Sequence, residues 1–299
     1  MRSIDQVIVS SDQSPRFLNF WPLVAKSWKD LFNISPTLVL VSNHAADSQL
    51  LNDLRSFGSV VQLDAIPRVP LENQAKLARW YYACQAGDLS VTIEDIDTIF
   101  LTPDYLEDRL RGINSETLRG IGSDVSSYTD LIGDISKFPA SNFTGTGILF
   151  SQLFNYQLGM SFRDFVWNFK DLKNIDERAN PFSPPYVFSD ESLIRALRIK
   201  NDFQPIEVVP RDVNIHEQWI DRSWWPSSPP INLDKYICVN LLRPLWENRD
   251  ACKFILDEHF EEGYPWIIDQ NEGSIAKLRW RLRDARITKF RRLLLKFLS

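Results

Sequence analysis

Cysteine is scarce in these 299 residues, and long apolar runs are missing. The three cysteines, Cys84, Cys238 and Cys252, are odd in number and widely spaced. They fit neither a disulfide framework nor a zinc site, and they suit a reducing compartment. Nowhere do about eighteen apolar residues run together, the length a spanning helix needs. The N-terminus, Met1-Arg2-Ser3-Ile4-Asp5-Gln6, leads straight into strand-like Val7-Ile8-Val9 with no signal-peptide apolar region. The expectation is a cytoplasmic protein. Basic charge is also short in most of the chain. Net charge is −5, and residues 271–299 hold nine Lys/Arg against two acids, which leaves the first 270 residues at −12. An acidic body argues against nucleic acid as a partner.

What is present is ordinary globular material, 44% hydrophobic and 24% charged. A chain this long buries roughly three quarters of the surface its unfolded form exposes. Short β-branched or apolar runs at 6–10, 37–41, 60–63 and 90–93 alternate with helix-like segments near 16–30, 45–55 and 72–86. In the third helix Leu77, Trp80, Tyr81 and Cys84 recur at the spacing of a buried stripe. Alternating β and α predicts an α/β fold, a mostly parallel, Rossmann-like sheet flanked by helices. Beyond Pro103 the pattern becomes irregular around one strand candidate, 147–150, with proline-rich breaks at 180–186 and 225–230. One domain over 1–265 is expected, with a nucleotide-binding half at 1–102 and an acceptor-side half at 103–265. A helical appendage follows at 266–299.

Ligands of such sheets bind beyond the carboxyl ends of the strands. Two polar clusters fall there, Ser10-Ser11-Asp12 after the first strand and Glu94-Asp95-Ile96-Asp97 after the fourth. In an extended backbone, residues i and i+2 point to the same side. Asp95 and Asp97 would then converge on one hard divalent cation, Mn²⁺ or Mg²⁺, which favours carboxylate and phosphate oxygens. Against this stands a pair of surface aspartates capping a turn.

The acidic segment resembles the DxD motif of GT-A type glycosyltransferases, including those of bacteria and large DNA viruses. Other segments are similar to that family in the same order. Asn73-Gln74-Ala75-Lys76-Leu77-Ala78-Arg79-Trp80 resembles the helix before DxD, whose basic residues approach the nucleotide or diphosphate. Phe143-Thr144-Gly145-Thr146-Gly147-Ile148-Leu149-Phe150 resembles the Gly-containing strand lining the sugar and acceptor site. Ser189-Asp190-Glu191-Ser192 resembles the acidic pair that opens a helix and carries the base in inverting members. Val239-Asn240-Leu241-Leu242-Arg243-Pro244 resembles a late segment in which many members carry a metal-binding histidine. Here that position is Asn240, so the third metal ligand is Asn240, His216 or water. The resemblance spans about residues 5 to 250. It implies a nucleotide-sugar donor, a glycan or lipid-linked glycan acceptor, and a divalent metal on Asp95, Asp97 and Asn240. It also implies donor contacts from Ser10, Ser11, Asp12, Lys76, Arg79, Asp95 and Arg243.

Each residue also has a plainer reading. Ser189 is a good N-cap and acids in the first turn complement the helix dipole, so Asp190 and Glu191 need be no more than helix-start residues. As a general base, Asp190 would deprotonate an acceptor hydroxyl, with Glu191 as fallback. Lys76 and Arg79 share a helix face that would otherwise be solvated. A serine pair at 10–11 can simply cap a helix near Pro15. Trp219, Trp224 and Trp225 can stack on sugars or fill a core. The tail, 275–298, reads as a basic amphipathic helix that can lie on an anionic membrane or pack on an acidic surface. The alternatives to glycosyl transfer are a haloacid-dehalogenase-type phosphotransferase and a degenerate carbohydrate-binding protein. The first places Asp-x-Asp on the first strand, almost a hundred residues earlier than here.

Overall fold

The computed structural model describes residues 4–43, 48–103, 110, 115–122, 142–210, 219–220, 233, 236, 238–243, 245, 248–260 and 264–267. Its centre is a seven-stranded sheet. The strands are β1 (Gln6–Asp12), β2 (Thr37–Ser42), β3 (Ser59–Asp64), β4 (Ser90–Ile93), β6 (Leu118–Gly122), β7 (Phe143–Thr146) and β8 (Ile206–Pro210), in the order β3-β2-β1-β4-β7-β6-β8. Strands β1 to β4 are mutually parallel, β7 runs antiparallel to both β4 and β6, and β6 pairs parallel with β8. From β1 the chain steps outward to β2 and β3, then returns to lay β4 on the other side of β1. That reversal makes the gap between the ends of β1 and β4 a topological switch point, where open α/β sheets bind ligands.

Alternation along the strands explains why both faces are covered. Ile8, Val39 and Val41 face one core with Leu77, Trp80 and Phe150. Val7, Val9, Leu38 and Leu40 face the other with Trp21, Trp28 and Phe100. Successive side chains point to opposite faces, so strands apolar throughout need helices on both sides.

The helices early in the chain are α1 (Pro15–Leu18), α2 (Trp21–Phe32), α3 (Ser48–Arg55) and α4 (Leu71–Ala83). The single helix expected over 16–30 is thus two, with a break at Asn19 and Phe20 before Pro22, which suits a helix's first turn. Helix α4 connects the carboxyl end of β3 to the start of β4, so its first turns lie at the switch-point end of the sheet. Gln74 fixes that start: its buried amide donates to Ile66 O and Val69 O and accepts from Ile66 N.

The strand expected at 147–150 is a helix instead. Strand β7 occupies the four residues before it, and Gly147–Phe154 forms α5. Thr146 caps α5 by accepting from Leu149 N, and Asn155 ends it in the left-handed region at φ 50°. Gly147 permits this tight junction, since a Cβ there would lie 2.5 Å from Gly87 N and 2.9 Å from Ala83 O. Helices α6 (Phe162–Trp167), α7 (Asp190–Lys200) and α8 (Arg249–His259) follow. A smaller sheet, in the order β5-β10-β9, joins β5 (Thr98–Phe100), β10 (Cys238–Asn240) and β9 (Trp219–Ile220). The tail at 266–299 lies almost wholly outside the described residues, and among those described no helix is long and apolar enough to cross a membrane.

Candidate active site

At the switch point the two expected polar clusters lie on neighbouring strands. Ser10, Ser11 and Asp12 are the last residues of β1 rather than a loop after it. Ser11 and Asp12 are buried, and Ser11 Oγ donates to Asp12 O. Asp12 Oδ1 accepts from Ser14 N at 3.0 Å, and Ser14, not Ser10 or Ser11, caps α1 by accepting from Arg16 N. Beyond β4, Glu94 is fully buried and its N–H donates to Ile8 O at 3.0 Å, which ties this end of β4 to β1.

The chain then turns. Ile96 and Asp97 form a turn, and Thr98 N donates to Asp95 O. The extended backbone expected at 95–97 is therefore absent, because β4 must leave the main sheet to become β5 of the small one. The two aspartates go to different cations. Asp95 Oδ1 accepts from Arg79 Nη1 at 2.5 Å. Asp97 Oδ2 pairs with Arg243 Nε at 2.8 Å.

Arg79 is the hub. It does not lie on the solvated face that its helix position suggested, being 4% exposed. Its Nη1 also donates to Glu94 O at 3.0 Å, and Nη2 donates to Asp190 Oδ2 at 2.7 Å. Burial alone would lower its pKa; Asp95 and Asp190 more than offset this and raise it. One guanidinium thus joins the end of β4 to the first turn of α7. A planar five-donor cation suits this, since it holds two carboxylates in fixed directions.

Asp190 is buried at the first position of α7, and Ser189 caps the helix by accepting from Ser192 N. Glu191 turns back, its Oε2 accepting from the hydroxyl of the capping Ser189 at 2.7 Å. The capping role and the approach to Arg79 thus coexist at neighbouring residues. Lys76 also points to this corner. Its Nζ lies 3.5 Å from Phe188 O and 5.7 Å from the Phe188 ring. One turn earlier, Asn73 Nδ2 donates to Pro181 O and Ser183 O, both at 2.8 Å. Asn73, Lys76 and Arg79 therefore form one stripe of α4 that fastens the segment 181–190.

Asn240 sits opposite Thr98 in the small sheet, and its Oδ1 accepts from Thr98 Oγ1 at 2.7 Å. Leu241 N donates to Asp97 O at 2.7 Å, so Asn240 and Asp97 share a neighbourhood. The guanidinium carbons of Arg243 and Arg16 each lie 5.5 Å from the Phe17 ring centroid, and Arg243 thereby links Asp97 to α1. Arg16 and Phe17 drew no attention in the sequence, though an Arg-aromatic pair just after a switch-point strand was a usable signal. His216, Trp224 and Trp225 lie outside the described residues, and Trp219 is described only as part of β9. His259 closes α8.

Among the described residues, no group of three or more His, Cys, Asp and Glu side chains could hold a metal ion. The donors expected for one, Asp95, Asp97 and Asn240, are all hard oxygens and suit Mg²⁺ or Mn²⁺. Positive charge at the two carboxylates comes from Arg79 and Arg243.

No protein-family model matches the sequence, and no curated protein is similar to it. Solved structures do match. The galactosyltransferase LgtC, crystallised with donor and acceptor sugar analogues, is 12% identical with a TM-score of 0.44, over 84% of this chain and 95% of that one. The glycosyltransferase GlyE of Streptococcus pneumoniae is 12% identical with a TM-score of 0.45, over 90% of this chain and 66% of that one. Both are named as glycosyltransferases.

Proposed function

We propose that this chain transfers a sugar from a nucleotide-sugar donor to a hydroxyl of a glycan acceptor, in the crevice beyond β1 and β4. The observation that carries the reading is the buried Arg79, bonded to Asp95 at the end of β4 and to Asp190 at the start of α7. It brings the resemblance's two acidic motifs to one cation at a switch point, where ligand binding is the general rule. The charge pattern suits the chemistry. A leaving nucleoside diphosphate needs positive charge beside it, and an acceptor hydroxyl needs a base.

In this reading Ser10, Ser11 and Asp12 face the nucleoside, and Arg243 and Lys76 attract the diphosphate. Asp95, Asp97 and Asn240 would hold Mg²⁺ or Mn²⁺, which supplies Lewis-acid neutralisation of the departing diphosphate when bound. Asp190 takes the proton of the attacking hydroxyl, with inversion at the sugar, and Arg79 orients its carboxylate. Glu191, committed to the helix cap, is the weaker candidate for base.

A thermal-shift screen of UDP, GDP, dTDP, CDP and their sugars, each with and without Mn²⁺, tests this. A ligand at a hundred times its dissociation constant stabilises by about 2.7 kcal/mol. One nucleotide should raise Tm, more so with Mn²⁺, and the metal-dependent part should vanish in Asp97→Ala. A cooperatively melting protein that no nucleotide shifts would sink the proposal and favour a carbohydrate-binding protein without transfer.

A further inference from the structure

Three helices end around one hollow. Helices α5, α6 and α7 finish on Asn155, Asn168 and Asn201 as their C-terminal caps. These three amides, with Gln157 and Lys200, line a cavity of about 340 Å³. Its floor is apolar, formed by the buried Phe154, Phe169 and Leu197. It opens at the far end of α7 from Asp190, roughly 15 Å away at 1.5 Å per residue.

The polar rim is turned to solvent rather than to the protein. Among the described residues, the side chains of Asn155, Gln157 and Lys200 have no hydrogen-bond or ion-pair partner. Asn168 Nδ2 reaches only the Met160 sulfur, at 3.6 Å. Asn201 donates to Leu153 O at 2.8 Å, which leaves its Oδ1 as an acceptor. Polar groups converging on a concave surface can fix the orientation of a small molecule.

Charge then narrows the ligand. No carboxylate lines the cavity to ligate a cation, and Lys200 at its rim repels one. Three helix C-termini direct partial negative charge toward it, which disfavours an anion, and the single cation Lys200 offsets that field. A neutral ligand remains. Carboxamides donate and accept at once, as sugar hydroxyls do.

We infer that this cavity is a second, non-catalytic saccharide site, sized for one or two sugar residues. It requires neither donor nor metal, so its test stands apart from the proposed transfer. Saturation-transfer NMR on the full chain, with maltose, lactose and cellobiose at millimolar concentration, reads it directly. At least one disaccharide should receive magnetisation from the protein. Its affinity should fall about tenfold or more in the double variant Gln157→Ala/Asn168→Ala, which loses two polar partners at exposed positions. Asp97→Ala should leave this binding unchanged. Failure of all three disaccharides, or equal binding by the double variant, overturns the inference. So does displacement of the sugar by inorganic phosphate, which would make the cavity an anion site.

Discussion

Arg79 and Asp190 meet at 2.7 Å across 111 residues of sequence, both almost wholly buried. A buried pair is most costly when half of it is removed, because the other charge is stranded away from water. Arg79→Met should therefore destabilise the chain by about 3–5 kcal/mol in urea denaturation. The cost falls mainly on the Asp190 side, since Asp95 is one-third exposed and water can compensate it. Adding Asp190→Leu to Arg79→Met should recover part of the loss. A single variant costing under about 1 kcal/mol would mean that water reaches the pair.

Asp190→Asn keeps a hydrogen-bond acceptor for Arg79 while removing the base. Arg79 stays paired with Asp95, so the stability loss should be smaller than that of Arg79→Met, whereas turnover should fall on the order of a hundredfold. A loss below about tenfold, with Tm intact, would leave Asp190 as a helix-start residue and no more.

Gly147→Ala tests the β7–α5 junction. The new Cβ would meet backbone atoms of Gly87, Ala86 and Ala83, none of which can rotate away. Overpacking of this kind costs about 1–3 kcal/mol. A Tm equal to that of the parent would show that α4 and α5 can slide apart.

His259 makes stability pH-dependent. Burial pushes its pKa below 6.5, and Lys26 adds to this while Asp30 and Glu258 oppose it. Its buried Nε2 has no hydrogen-bond partner among the described residues. The unfolded imidazole thus takes a proton at higher pH than the folded one. This contribution is present above pH 6.5 and is lost as pH falls through the folded value. Urea midpoints for the parent should drop between pH 7.5 and 5.5 more than those of His259→Gln. Parallel curves would exclude the histidine as the cause.

The first hundred residues were legible because each strand is a short apolar run between amphipathic helices, and β1 to β4 lie close to their expected positions. Gly147 and the residues after it were not. Gly-Ile-Leu-Phe is an apolar run too short for its period to distinguish strand from buried helix. The deciding marks, Thr146 as cap and Asn155 as stop, flank it on both sides. At the site, the sequence singled out Arg79, Asp95 and Asp190 separately. Their convergence depends on how α4 and α7 pack, which no local spacing encodes. The turn at Ile96–Asp97 escaped for a similar reason, since the departure of the chain into a second sheet is set by its pairing with β10, 140 residues later.

Strand β7 runs against β1 and β4, with Phe143 opposite Ile93 and Thr146 opposite Ser90. The chain entering β7, at the buried Asn142 with φ 59°, therefore lies at the same rim as the chain leaving β1 and β4. A library of single substitutions and insertions would reveal this as a polarity rule. Changes that spare folding but harm function should cluster after β1 and β4, yet before β7. At the opposite rim, where Thr146 passes into Gly147, an inserted residue should register in yield and melting temperature alone.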